Sequence, residues 1–101
     1  MNAPARIEPM DDIRTFLPGI PADEYDRRVK LRSYRNAATA MVHNTDSDTA
    51  RALAWIAIEY VTFNLYAPAD PDQLDDLGRF CKRLMLTAMQ AEDIDLNWKT
   101  Q

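Results

Sequence analysis

Apolar residues crowd the stretch from Ala50 to Ala67, ARALAWIAIEYVTFNLYA, more densely than any other part of the chain. Wound at about 100° per residue, it sets Ala50, Ala54, Ala57 and Val61 on a narrow stripe of small side chains. Leu53, Ile56, Tyr60 and Phe63 form a bulky face beside that stripe, and Trp55, Ile58, Leu65 and Tyr66 make a third side. Only Arg51, Glu59, Thr62 and Asn64 interrupt. The pattern predicts a central helix that buries most of its surface against neighbours on several sides.

The flanking segments supply those neighbours. Residues 1 to 8 carry Pro4 without an apolar period and read as a loose lead-in. A short helix is expected from Pro9, where Asp11 and Asp12 suit the positive end of the dipole and Met10, Ile13 and Leu17 share a face; Pro18 and Gly19 stop it. A second helix should run from Pro21 to about Val42, with Leu31, Tyr34, Ala38, Met41 and Val42 inward and acids at its start. The polar run His43 to Asp48 offers N-caps for the central helix, and so short a connection makes the two helices antiparallel neighbours. After Pro68, Asp70, Pro71 and Gln73 form a strong helix start. Leu74, Leu77, Cys81, Leu84 and Ala88 then repeat at helical spacing to about Gln90, with Gly78 expected to allow close approach. In residues 91–101, Ile94, Leu96 and Trp98 alternate with polar residues, which predicts an extended C-terminal tail packing on the bundle or on a partner.

The whole therefore reads as all-α, a compact single-domain bundle of three long helices plus a short N-terminal one. At 101 residues there is room for one core. Twelve basic against sixteen acidic residues give a net charge of -4, which works against non-specific attraction to nucleic acid or anionic lipid. One cysteine provides no disulfide framework, no signal-peptide core opens the chain, and the central helix is too short and too polar at Glu59 to span a bilayer. A cytoplasmic protein with no membrane contact is the expectation.

Candidate chemistry is sparse. Asn44, Asp46 and Asp48 resemble the start of a calcium loop, but Thr49 stands at the turn-glycine position and Trp55 where a bidentate glutamate belongs. Glu59 sits mid-helix without a second carboxylate or a Glu-x-x-His pair, and His43 and Cys81 carry no nucleophile signature. Two glycines in all rule out a glycine-rich phosphate loop. Neither catalytic residues, nor metal ligands, nor a cofactor are expected.

The surface is more informative. Arg28, Arg32 and Arg35, spaced by four and three, share a helix face flanked by Arg27 and Lys30, and Arg79, Lys82 and Arg83 form a second basic cluster. Guanidinium groups so arranged suit carboxylates or phosphates. The sequence thus points to a non-catalytic regulator, adaptor or inhibitor that binds a larger protein or assembly through Arg28, Arg32, Arg35, Arg79, Arg83 and Trp98. The analogy is with small acidic helical proteins of mobile elements such as phages. The alternative is a nucleic-acid-associated regulator whose Arg28, Arg32 and Arg35 face contacts phosphates. The helix after the turn is too apolar to serve as a recognition helix, which disfavours nucleic acid. Uncovered aromatics at Trp55 or Tyr66 add self-association as a homodimer.

Overall fold

The computed structural model describes residues 11–99, with side chains placed over 13–97. The lead-in, Pro9 and Met10 lie outside the described residues. Four helices follow in order: α1 (Asp11–Phe16), α2 (Ala22–Asn44), α3 (Asp48–Leu65) and α4 (Pro71–Lys99). They form an all-α bundle of three long helices and a short N-terminal one, with no strand among the described residues. Helix α3 packs on both α2 and α4, which meet one another less extensively.

Local chemistry sets the boundaries. Gly19 takes a left-handed φ of 81°, which turns the chain between α1 and α2. Ser47 caps α3 by accepting a bond from the Ala50 N–H at 3.1 Å. Its hydroxyl also donates to Asp95, tying the far part of α4 to the α2–α3 turn. At the other end the Asp70 N–H donates to the Gln73 side chain at 2.8 Å, the reciprocal bond of a capping box.

The core has two parts. Ile13, Leu31, Val61, Leu65, Leu74 and Cys81 are buried together where α1 meets the bundle, and Ala38, Ala54 and Ala57 form a second buried cluster. The small-residue stripe of α3 is thus its buried face. Its bulky face is not enclosed: Ile56, Tyr60 and Phe63, with Trp55 beside them, are exposed. This corrects the expectation of a helix covered on several sides. Alanines let α2 and α4 approach α3 closely, and with only two long neighbours the opposite side stays open.

The segment from residue 91 is likewise helical rather than an extended arm, since α4 continues to Lys99. Nothing after Gly78 breaks a helix, and the alternating Ile94 and Leu96 pair with no strand among the described residues, both being exposed.

Antiparallel α2 and α3 are joined at both ends by arginines that serve the other helix. Arg28 of α2 is 0% exposed. Its guanidinium donates to the carbonyl oxygens of Leu65 and Ala67, the latter at 3.0 Å, and to Glu24 at 2.9 Å. Helix α3 has no basic residue in its last turn, so Arg28 supplies both the hydrogen bonds and the positive charge that its carbonyl end requires. Conversely, Arg51 of α3 donates to the carbonyls of Val42 and Thr45 at the end of α2, at 3.4 and 2.7 Å, while pairing with Asp48 at 2.8 Å.

Replacing Arg28 by Ala leaves two carbonyls and Glu24 without their donor, and is expected to cost roughly 3–5 kcal/mol. Arg28→Lys should recover only part of this, because an ammonium cannot fork across three acceptors. Urea unfolding followed by circular dichroism reads both; a loss under about 1 kcal/mol for Arg28→Ala would show that water serves those carbonyls as well. The two glycines should respond with opposite signs. Gly19→Ala is expected to cost about 1 kcal/mol because of its positive φ. Gly78→Ala should stabilise by roughly 0.5–1 kcal/mol. A methyl there would meet only Leu31 Cδ2 and Tyr34 Cε2, both at 3.9 Å, so packing does not demand the glycine.

Candidate partner-binding surfaces

The arginine face expected to grip a partner turns inward. Arg28 is committed to the end of α3, and Arg32, also buried, donates to the Tyr66 hydroxyl and lies over that ring at 5.9 Å. Arg35 is half-buried at the α2–α3 seam, where it reaches the Thr62 hydroxyl at 3.5 Å. Arg28 and Arg32 are therefore interhelical fasteners with no surface to offer, which corrects their assignment to partner or phosphate contact. Arg79 and Arg83 are exposed on α4, with Arg79 paired to Asp76. The side chain of Trp98 lies outside the described residues.

The residues that flanked the expected face make the actual basic surface. One helical step from the buried Arg28 and Leu31, Arg27 and Lys30 point outward and meet Arg79 and Lys82 of α4 across a groove of about 220 Å³. Leu31, Tyr34, Leu74 and Gly78 line it, and Asp75 is its single acid. Arg27 bridges the helices by donating to Asp75 at 2.9 Å, and also pairs with Asp23 at 3.3 Å. The hydrogen bond to Asp75 raises the Arg27 guanidinium pKa above its ordinary value. Lys30 and Lys82 have no carboxylate partner among the described residues. Locally, then, an acidic protein presents a cationic groove with an apolar floor and an aromatic wall. Sequence spacing showed both basic clusters but not their juxtaposition, which depends on how α2 and α4 are rotated about their axes.

The second surface is the open side of α3. Trp55, Ile56, Tyr60 and Phe63 lie along it, Phe63 being 83% exposed. Tyr60 extends it onto α4 through an edge-on contact with Phe80, centroids 4.9 Å apart. Glu59 stands exposed among them rather than partly buried.

Cys81 and His43 are far apart in the bundle. Cys81 is buried with Leu31 and Leu65, whereas His43 is exposed in the last turn of α2, about 18 Å along the axis from Leu31. Burial pushes the Cys81 thiol pKa up to about 11. Asp46 and Asp48 flank the capping Ser47, and among the described residues no group of three or more His, Cys, Asp or Glu is placed to hold a metal ion. No helix among them is long and apolar enough to cross a membrane. Compared with known protein families, curated proteins and solved structures, the chain matches none.

The thiol makes a pH-dependent prediction. In the unfolded chain it ionises near its ordinary value, while in the fold it stays protonated to about pH 11. Its contribution to stability is therefore complete below the unfolded pKa and lost as pH rises through the folded one. Between pH 8 and 10 the native protein should lose more stability than a Cys81→Ala variant does over the same range. At pH 8 a thiol-specific chromogenic disulfide should react only on adding denaturant; rapid reaction in buffer would show the thiol to be accessible.

Proposed function

We propose that the protein is a non-catalytic regulator, adaptor or inhibitor that binds an acidic segment of a larger protein in the α2–α4 groove. The supporting observation is the convergence of Arg27, Lys30, Arg79 and Lys82 on one apolar-floored groove in a chain of net charge -4. Lys30, Lys82 and, beyond the rim, Arg83 are the groups for carboxylates, while Leu31 and Tyr34 suit an apolar or aromatic side chain of the same segment. Within this reading Arg79 and Arg83 keep the role the sequence assigned them. Arg27 and Lys30 take the place of Arg28 and Arg32.

A protein segment suits the groove better than a phosphate backbone. Asp23, Asp75 and Asp76 lie beside the basic residues, and each would oppose a continuous line of phosphates. Discrete carboxylates can be set between them.

The test is recovery of partners from a native extract on tagged protein, with and without nuclease, beside the double reversal Lys30→Glu, Lys82→Glu and the groove-filling Gly78→Leu. A nuclease-resistant protein retained by the wild type, and weakened at least tenfold by either variant, is the expected outcome. Retention unchanged in both variants would remove the groove from the binding surface. Nucleic acid recovered by the wild type and lost on reversal would replace the proposal with the phosphate-binding alternative.

A further inference from the structure

The open face of α3 is separate from the groove, which no α3 residue lines. We infer that this face binds a second copy of the chain, forming an antiparallel α3–α3 dimer about a twofold axis near Tyr60.

Area and charge both favour a second copy as the occupant. The exposed parts of Trp55, Ile56, Tyr60, Phe63 and Phe80 amount to roughly 500 Å² per copy, taking about 200 Å² for each aromatic side chain. With Ala52 and Glu59, which lie between Trp55 and Phe63, and Arg35 at the α2 side, two copies approach the ~1,200 Å² at which specific interfaces begin. The patch is thus in the upper part of the range for a lone monomer, and two of them come close to what a small symmetric dimer buries.

The charges on and beside it are self-complementary. Among the described residues Glu59 has no cationic partner, and the Arg35 guanidinium makes one long hydrogen bond, to the Thr62 hydroxyl, and no ion pair. In an isologous interface whatever one copy offers must match what the same surface of the other copy offers. Antiparallel pairing at Tyr60 lays Phe63 over the turn of Ile56 and Ala57 in the second copy. It also brings Arg35, held level with Thr62, to the level of the second copy's Glu59. The two Glu59 carboxylates come to the same edge and repel, so the pairing depends on each being met by the other copy's Arg35. The grooves then point away from each other.

The experiment is sedimentation equilibrium of the full chain from low to roughly 100 µM, with helicity of every variant checked by circular dichroism. The wild type should approach twice the monomer mass of 11.6 kDa. Phe63→Glu should remain monomeric with unchanged helicity, its side chain touching little within the monomer. Glu59→Arg should raise the dimer dissociation constant at least tenfold, and adding Arg35→Glu should restore it to within about threefold. A wild type that stays monomeric overturns the proposal and leaves the face to a foreign partner. A dimer that survives Phe63→Glu overturns the face, and one indifferent to Glu59→Arg overturns the antiparallel register.

Discussion

A fully buried guanidinium is tolerated only where acceptors and a counter-charge surround it, and Arg28 fixes the bundle by that requirement. Its acceptors come from the end of α3 and its carboxylate from Glu24, one turn earlier on α2. To satisfy it, α2 must be rotated with this edge inward and α3 must end level with Arg28. Arg51 imposes the same condition at the opposite end, so the register of the two helices is held twice. Alanine packing alone would leave that register loose, since a stripe of small side chains offers similar contacts after a one-turn slide.

The rotation of α2 decides what faces solvent. With Arg28, Leu31 and Arg32 inward, Arg27 and Lys30 must face outward, on the side where Asp75, Arg79 and Lys82 of α4 approach. The Arg27–Asp75 bridge across this seam closes one wall of the groove. The groove is therefore a consequence of the internal arginine arrangement.

Helix existence, order and most boundaries were legible in the sequence because they rest on local signals: the 3.6-residue period, the run of possible caps from His43 to Asp48, Pro18 and Gly19 as a stop, and Gln73 as a reciprocal partner of Asp70. The C-terminal segment is helical although Ile94, Leu96 and Trp98 alternate with polar residues, because nothing after Gly78 breaks a helix. The inward turn of the arginine face is carried by spacing rather than by residue type. Glu24, Arg28, Leu31, Arg35, Ala38 and Val42 recur at intervals of three and four, so Arg28 and Arg35 stand in the same repeat as apolar residues. That was the available signal of an inward direction. Periodicity still could not show which carbonyls would receive them, because those belong to another helix.

The distribution of bulk on α3 is the reverse of the usual amphipathic helix. Its buried face is built largely from alanine, while Trp55, Ile56, Tyr60 and Phe63 face outward. Large apolar side chains contribute most where they displace water from other apolar surface, and apart from the Tyr60–Phe80 contact the bundle offers this face little such surface. They are consequently weak contributors to the stability of the monomer and strong candidates for association. In the proposed dimer the cationic groove of each copy would lie on the far side, open to two acidic segments at once. A modest affinity in each groove would then be multiplied wherever one assembly presents both segments within the span of the dimer. Close packing inside the bundle thus uses one face of α3, while its large apolar side chains stand on the other.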